Sequence, residues 1–390
     1  MERLISEMSY PTKIVFGPGA VERLGSWCKK LGMKKPLVVT DKGVVKAGLS
    51  EKVTAELKKE GLAFGIFDAV EPNPTDRDAH DGLAAYREQG CDGIVAIGGG
   101  SPIDAAKLIR LLVTHEGPIA KYDDVVDGGR FVTNNLPPMI AIPTTAGTGS
   151  EVSRSAVALL KETGRKTVIF APPLMPNVAI CDPELTFGLP PNPTAWTGMD
   201  ASTHCLEAFC STGFHPLADA LAIDGIARCS RSLVKAVGEP KDLAARTDMM
   251  VAAIEGAAAF QKGLGACHAI AHALGAVSNV HHGLANAICL APVMEFNRST
   301  ITARLAKVAV AMGELSNSRE DLLASQAIER VRKMVKESGI PNNLREVGVK
   351  EEQLGAIADK AFEDASHGTN PRKCTRDDLF SLVKAAYAGN

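Results

Sequence analysis

Short apolar, β-branched runs alternate with helical stretches through the first half of this chain, and that alternation admits few folds. The runs PLVVTD (36–41), LAFGIFDAV (62–70), GIVAIGGG (93–100), MIAIPTT (139–145) and NVAICDP (177–183) are separated by patterns such as LSEKVTAELKKEGL (49–62) and DAHDGLAAYREQG (78–90). Strands that are apolar throughout are buried on both faces, and strands linked by helices run parallel. The expected architecture is therefore an α/β parallel sheet wrapped by helices. The pattern changes at FGLPPNPTAW (187–196), where prolines and a glycine punctuate the chain. Beyond it Ala-rich helical patterns dominate, among them 217–237, 245–260 and 321–339. This predicts two domains, an α/β domain over residues 1–185 and an all-α domain over residues 186–390, and 390 residues are enough for two substantial cores.

Two of the strand-like runs end in loops suited to an anion. GIVAIGGGSPIDAAK (93–107) breaks from an apolar strand into three glycines and a serine, then resumes as a helix. Glycines there let backbone N–H groups approach a diphosphate, and the helix N-terminus adds the positive end of its dipole. IAIPTTAGTGSE (140–151) is again a strand followed by Thr, Gly and Ser. The first loop is not the GxGxxG fingerprint, and a glycine triplet alone also makes a tight turn. Two such loops, however, fit side by side at the carboxyl edge of one parallel sheet, where nucleotides bind.

The helical half carries metal-ligand types. In GMDASTH (198–204), Asp200 and His204 lie four residues apart, and in GLGACHAIAHALGAVSNVHHGLAN (263–286) the same spacing separates His268 from His272, with His282 after an intervening turn. Residues four apart share a helix face, so each pair converges on one point. A mixed nitrogen and oxygen set suits a borderline divalent ion such as Fe(II) or Zn(II) rather than Ca or Mg. Spacing alone is equally met by hydrogen-bonded helix pairs, because H-x-x-x-H lacks the Glu of the zinc-protease signature HExxH.

The ordered set GGGSPIDAAK (98–107), PTTAGTGSE (143–151), GMDASTHCLEAF (198–209) and GACHAIAHALGAVSNVHHGLANA (265–287) resembles the iron-dependent (group III) alcohol dehydrogenase family, from PTKIVFGPGA at Pro11 to TNPRKCT at Thr369. The resemblance implies a dehydroquinate synthase-like architecture, with an N-terminal dinucleotide-binding domain, an all-α C-terminal domain and catalysis in the cleft between them. It implies Asp200, His204, His268 and His282 as metal ligands, with His272 beside them as proton carrier. It places Gly98, Gly99, Gly100 and Ser101 around the cofactor diphosphate with Asp104 next to them, lines the cofactor cleft with Thr144, Thr145, Thr148 and Ser150, and brings Lys166 to the nicotinamide ribose. Asp41 falls where NAD-using members carry an acidic residue. A carboxylate there accepts hydrogen bonds from a ribose 2′-hydroxyl and repels a 2′-phosphate, so NAD is favoured over NADP; a lone Asp after a strand is also an ordinary turn residue.

The implied reaction is hydride transfer between a small primary alcohol and NAD, or the reverse reduction of an aldehyde, with Fe(II), or Zn(II), as Lewis acid. Two positions depart from the family pattern. FQKGLGAC (260–267) is one residue shorter than the usual segment and puts Lys262 where a small polar residue is more familiar. If Lys262 points inward, it pairs with an acidic substrate tail such as that of a semialdehyde. Ser155 stands where a larger side chain is common and enlarges the substrate pocket, and His367 in ASHGTNPRK faces the same cleft.

Composition narrows the partners. A net charge of -2 and 5% aromatic residues offer nucleic acid neither attraction nor stacking platforms. No apolar run approaches the roughly 18 residues of a spanning helix, and MERLISEMSYPTK is not a signal peptide. The nine cysteines contain no CxxC and fit free thiols in a reducing cytoplasm. The expectation is a cytoplasmic homodimer or higher homo-oligomer. Alternatives are a glycerol-phosphate-dehydrogenase-like or dehydroquinate-synthase-like enzyme and, from another class, a metal-dependent hydrolase that needs no NAD.

Overall fold

The computed structural model describes residues 8, 10, 12–162, 164–316 and 318–389, so Pro11 lies outside the described residues. They divide into two compact units, one of residues 10–145 with 149–188 and the other of residues 146–148 with 189 onward.

The first unit contains strands β1 (Lys13–Phe16), β2 (Pro36–Val39), β3 (Gly65–Phe67), β4 (Gly93–Gly98), β5 (Met139–Pro143), β6 (Ser155–Leu160), β7 (Arg165–Phe170) and β8 (Val178–Cys181). Its helices are α1 (Leu24–Lys30), α2 (Lys42–Lys46), α3 (Leu49–Lys59), α4 (Asp76–Glu88) and α5 (Gly100–Thr114). Six strands form one sheet in the order β1-β8-β5-β4-β2-β3, all neighbours parallel. Every residue of β2, β4, β5 and β8 is buried, as expected of strands covered on both faces. Side chains alternate across the sheet: Val95 and Ile97 pack with Leu24, Val53 and Leu57 on one face, and Ile94 and Ala96 with Ile103, Ile109 and Tyr86 on the other.

Two features go beyond the sequence pattern: β1 joins the sheet as an edge strand beside β8, and β6 with β7 forms a separate antiparallel hairpin. In β6 half-buried and buried residues alternate, the period-2 signature of a strand with one face packed. Ser155 and Lys166 lie on this hairpin.

The second unit is helical: α6 (Pro191–Cys210), α7 (Pro216–Gly238), α8 (Leu243–Ala259), α9 (Ala266–Ser278), α10 (His282–Asn297), α11 (Thr302–Ala311), α12 (Glu320–Glu337), α13 (Leu354–Glu363) and α14 (Arg376–Ala388). Small residues let these helices approach closely. No helix among the described residues is long and apolar enough to cross a membrane. All nine cysteines are free thiols, and eight are buried.

Candidate active site

Three helices bring the carboxylate and the histidines together. Asp200 and His204 share one face of α6, His268 lies in the first turn of α9, and His282 is the first residue of α10. One ligand atom from each of the four lies within 4.8 Å of all the others. The approach of α10 to α6 requires glycine after His282, because a Cβ on Gly283 would fall 2.2 Å from the Trp196 carbonyl oxygen and 3.3 Å from Asp200 Cβ. His282 Nε2 then comes to 3.2 Å, and His268 Nε2 to 4.0 Å, from Asp200 Oδ1.

The electrostatics suit a cation. Burial pushes the imidazoles down, to about 4 at His204 and His268 and about 3 at His282, against the pull of Asp200. At neutral pH all three rings therefore keep their lone pairs, the form that binds a metal. Burial alone would raise Asp200, but His204 and His282 outweigh it and hold the carboxyl well below the usual range. The Nδ1 atoms of His204 and His282 are buried with no hydrogen-bond partner. The amide of Asn286 donates from Nδ2 to Asp200 Oδ1 at 2.8 Å and sits 3.2 Å from His282 Nε2 and 3.5 Å from His268 Nε2. Asp200 Oδ1, His268 Nε2, His282 Nε2 and one His204 nitrogen thus converge on one small volume. Donors at the roughly 2.0–2.2 Å of Zn(II) bonds stand at most about 4.4 Å apart, so a set within 4.8 Å closes on an ion with shifts of a few tenths of an ångström. The residues present fit a divalent ion.

Several site residues had no assigned role in the sequence. Glu207, three residues after His204 on α6, meets His268 Nδ1 at 2.6 Å through Oε2 and accepts the Cys267 N–H at 2.8 Å through Oε1. It thereby fixes the ring so that Nε2 faces Asp200. Burial raises this carboxyl to about 7 against the backbone N–H groups of Cys267, His268 and Gly265. Phe260 packs on the His204 ring at 5.2 Å between centroids. The spacings Asp200–His204–Glu207 and His282–Asn286 were legible, since both follow the helix repeat. Asp364, which meets His272 Nδ1 at 2.8 Å, lies 92 residues away and left no local signal.

Partners that orient a ligating imidazole tune its affinity. Glu207→Gln puts an amide N–H against one of the donors that Glu207 accepts. Metal affinity is expected to fall about 10- to 100-fold, as measured by competition with a chromophoric chelator. Affinity within twofold of wild type would remove Glu207 from the support of His268.

In the sheet unit, the loops that follow β4 and β5 carry Gly99, Gly100, Ser101, Thr144 and Thr145 at the carboxyl edge. Gly98 pairs with Pro143 across β4 and β5, and the Thr144 N–H donates to the Gly98 carbonyl at 2.9 Å, so the two loops leave the sheet side by side. Gly98 has φ 148°, a value that favours glycine, and a Cβ there would meet Pro102 at 2.6 Å. Gly99 caps α5 without a side-chain acceptor, Gly100 opens the helix, and Thr145 packs against Gly99. Ser101 Oγ donates to the Pro72 carbonyl at 2.5 Å. Asp41 directly follows Thr40, whose hydroxyl donates to the Ile97 carbonyl at 2.9 Å, and it caps α2 by accepting the Val44 N–H at 2.9 Å.

Asp104 and Ser150 are engaged with each other. Ser150 Oγ donates to Asp104 Oδ1 at 2.5 Å, Asp104 Oδ2 accepts the Val157 N–H at 3.2 Å, and the buried Lys107 ammonium donates to Ser150 Oγ at 2.9 Å, the Ser153 carbonyl at 3.0 Å and the Ser155 carbonyl at 2.6 Å. This network ties the segment 150–157 to α5. Lys166 stands on β7 opposite Leu159. Thr148 belongs with residues 146–148 to the helical unit.

The expectation for Lys262 is corrected by its partners. Its ammonium is fully buried, donates to Asp219 Oδ1 at 2.5 Å and to the Phe209 carbonyl at 2.9 Å, and is already neutralised. Arg304 binds the same carboxylate and the same carbonyl. Ser155 shares a hydroxyl contact of 2.8 Å with Ser153. His367 stacks on Phe362, with Nε2 2.9 Å from the Phe362 carbonyl, and lines a cavity of about 550 Å³ with Thr212, Asn370 and Lys373.

Comparison with known proteins agrees with this geometry. Residues 11–183 match the iron-containing alcohol dehydrogenase family, and residues 194–387 match its C-terminal, Fe-containing domain. The chain is 41% identical to 4-hydroxybutyrate dehydrogenase of Cupriavidus necator, over 96% of this chain and 98% of that protein. It superposes with a TM-score of 0.94 on a crystal structure of 1,3-propanediol oxidoreductase at 40% identity, covering 98% of this chain and 100% of that one. It superposes with a TM-score of 0.89 on sulfoacetaldehyde reductase from Bifidobacterium kashiwanohense in complex with NAD+ at 26% identity, covering 99% and 100%. A helical unit that gathers one buried carboxylate and three neutral imidazoles, and a parallel sheet with paired Gly- and Thr-rich loops at its carboxyl edge, are what these matches lead one to expect: the chain belongs to the iron-containing alcohol dehydrogenase family.

Proposed function

We propose that Asp200, His204, His268 and His282 hold a divalent metal ion and that the chain uses it with NAD to interconvert a small primary alcohol and its aldehyde. The observation that carries this reading is the convergence of those four ligand atoms within 4.8 Å. When bound, the ion supplies Lewis acidity to a substrate oxygen and the nicotinamide exchanges hydride with the adjacent carbon. The chain's own groups bind, orient and move one proton. His272, beside His282, takes up the hydroxyl proton in oxidation and returns it in reduction. Fe(II) is the resident metal on family grounds, and the ligand set accepts Zn(II) as well.

Residues 1–185 form the cofactor-binding domain in this reading and residues 186–390 the metal-binding one. Gly98, Gly99, Gly100 and Ser101 receive the diphosphate, Thr144, Thr145 and Thr148 line the cofactor, Asp41 takes the adenosine ribose and Lys166 the nicotinamide ribose. Asp104 and Ser150 act through the 150–157 segment that they anchor. The NAD+ complex of sulfoacetaldehyde reductase and the carboxylate at Asp41 both favour NAD. The protein works as a homo-oligomer in the cytoplasm. Its substrate is a short alcohol or aldehyde; the likeness to 4-hydroxybutyrate dehydrogenase supports an acidic tail, and the occupied ammonium of Lys262 does not.

The test is NADH oxidation with neutral aldehydes (propionaldehyde, lactaldehyde) and anionic ones (succinic semialdehyde, sulfoacetaldehyde), each with and without chelator. Turnover is expected with at least one aldehyde, and chelation followed by dialysis should lower it more than about 100-fold, with recovery on adding Fe(II) or Zn(II). Turnover indifferent to chelation would sink the metal role, and none with any member would sink the substrate class.

A further inference from the structure

We infer that Asp364 is the positioning residue of the reaction's proton carrier, fixing the proton of His272 on Nδ1 so that Nε2 keeps its lone pair. This deepens the reading above and rests on it for its catalytic consequence, though not for its structural one. Asp364 lies at the junction between α13 and the short helical turn Ala365–Thr369. Its two oxygens are held separately: Oδ1 accepts the Ser366 N–H at 2.8 Å, and Oδ2 lies 2.8 Å from His272 Nδ1.

An ionised carboxylate has no proton to give, so in a neutral imidazole at this distance the bond requires hydrogen on Nδ1. Burial alone would raise the Asp364 carboxyl, but its contact with His272 and the hydrogen bonds it accepts from the Ser366 side chain and N–H outweigh that and bring it down to about 2. Asp364 therefore stays an acceptor throughout the neutral range.

The ring so fixed is part of the site. His272 stacks on His282 with centroids 5.2 Å apart and an interplanar angle of 15°, and meets the His268 ring edge-on at 6.1 Å. It touches none of the four converging ligand atoms through its own Nδ1, which Asp364 occupies. With 28% of its side chain exposed, against 1% for His268, it alone of the two reaches solvent to exchange a proton. In alcohol oxidation the O–H bond of the substrate breaks, its proton forms a bond to Nε2, and the proton then leaves to water. The opposite tautomer presents N–H at Nε2 and has no lone pair to receive it. The logic is that of a carboxylate–histidine pair in general: the acid sets the tautomer and orientation while the ring moves the proton.

The experiment is magic-angle-spinning NMR of protein labelled with 15N-histidine and loaded with diamagnetic Zn(II), with the His272 signals identified by their loss in His272→Gln. Wild type should show hydrogen on Nδ1. Asp364→Asn offers an amide donor to Nδ1 and should move the hydrogen to Nε2, with kcat falling about 100-fold while metal content and KM for NADH stay within twofold. Asp364→Glu, which keeps a carboxylate, should retain the wild-type tautomer and more activity than Asp364→Asn; it keeps the question decidable if the Asn variant does not fold. Hydrogen on Nε2 in wild type, a kcat for Asp364→Asn within threefold of wild type, or metal loss in proportion to the loss of kcat would each overturn the assignment. Failure of wild type to turn over any aldehyde would instead strike the proposed function, since the tautomer is read without turnover.

Discussion

His268→Ala is expected to lose the metal and the activity together. Metal content, measured by emission spectroscopy after gel filtration, should fall below about a tenth of wild type, and kcat/KM should fall at least about 10³-fold, because Lewis-acid stabilisation is worth several kcal/mol and each 1.4 kcal/mol is a factor of ten. The ring is 1% exposed and is one of the four groups that, among the described residues, converge on the site. The fold should survive, because the carboxylate of Glu207 keeps the Cys267 N–H bond at 2.8 Å that anchors the start of α9. Far-UV circular dichroism should therefore match wild type. A variant that is folded, metal-free and still active would remove these four residues from the mechanism.

How much of this was legible depends on whether a residue's role is local. The parallel sheet could be read because β2, β4, β5 and β8 are buried along their whole length and leave continuous apolar runs. The pairing of Asp200 with His204 could be read because four residues make one helical turn. The approach of His282 to that pair depends on Gly283 meeting the Trp196 carbonyl, a contact across 87 positions of chain that no pattern announces. Asp364 is the extreme case: an Asp before a polar loop has no distinguishing signal until the fold sets it against His272. Lys262 shows the opposite failure. A cation at position 262 is conspicuous in the sequence, yet the carboxylate that neutralises it, Asp219, sits in the first turn of α7 amid apolar helical periodicity.

That correction makes a demand of its own. Lys262→Ala should destabilise the protein by about 3 kcal/mol, the lower end of the range for breaking one side of a buried ion pair, and should leave substrate preference alone. The lower end applies because Arg304 remains on Asp219 Oδ2 at 3.3 Å and on the Phe209 carbonyl at 2.6 Å, so neither acceptor is stranded. What is lost is the second cation on that carboxylate and the packing of the lysine stem, which lies where a Cβ on Gly213 would meet Lys262 Cγ at 3.1 Å. Lys262→Met keeps most of that stem and should cost less than Lys262→Ala. Both comparisons are read from chemical denaturation midpoints. The same two variants should change kcat/KM for succinic semialdehyde and for propionaldehyde by factors that agree within about twofold, since an ammonium bound to Asp219 and to a main-chain carbonyl has no charge left for a substrate tail. A selective loss on the acidic aldehyde, with the denaturation midpoint unmoved, would show that Lys262 leaves Asp219 when substrate binds and would return it to the substrate site.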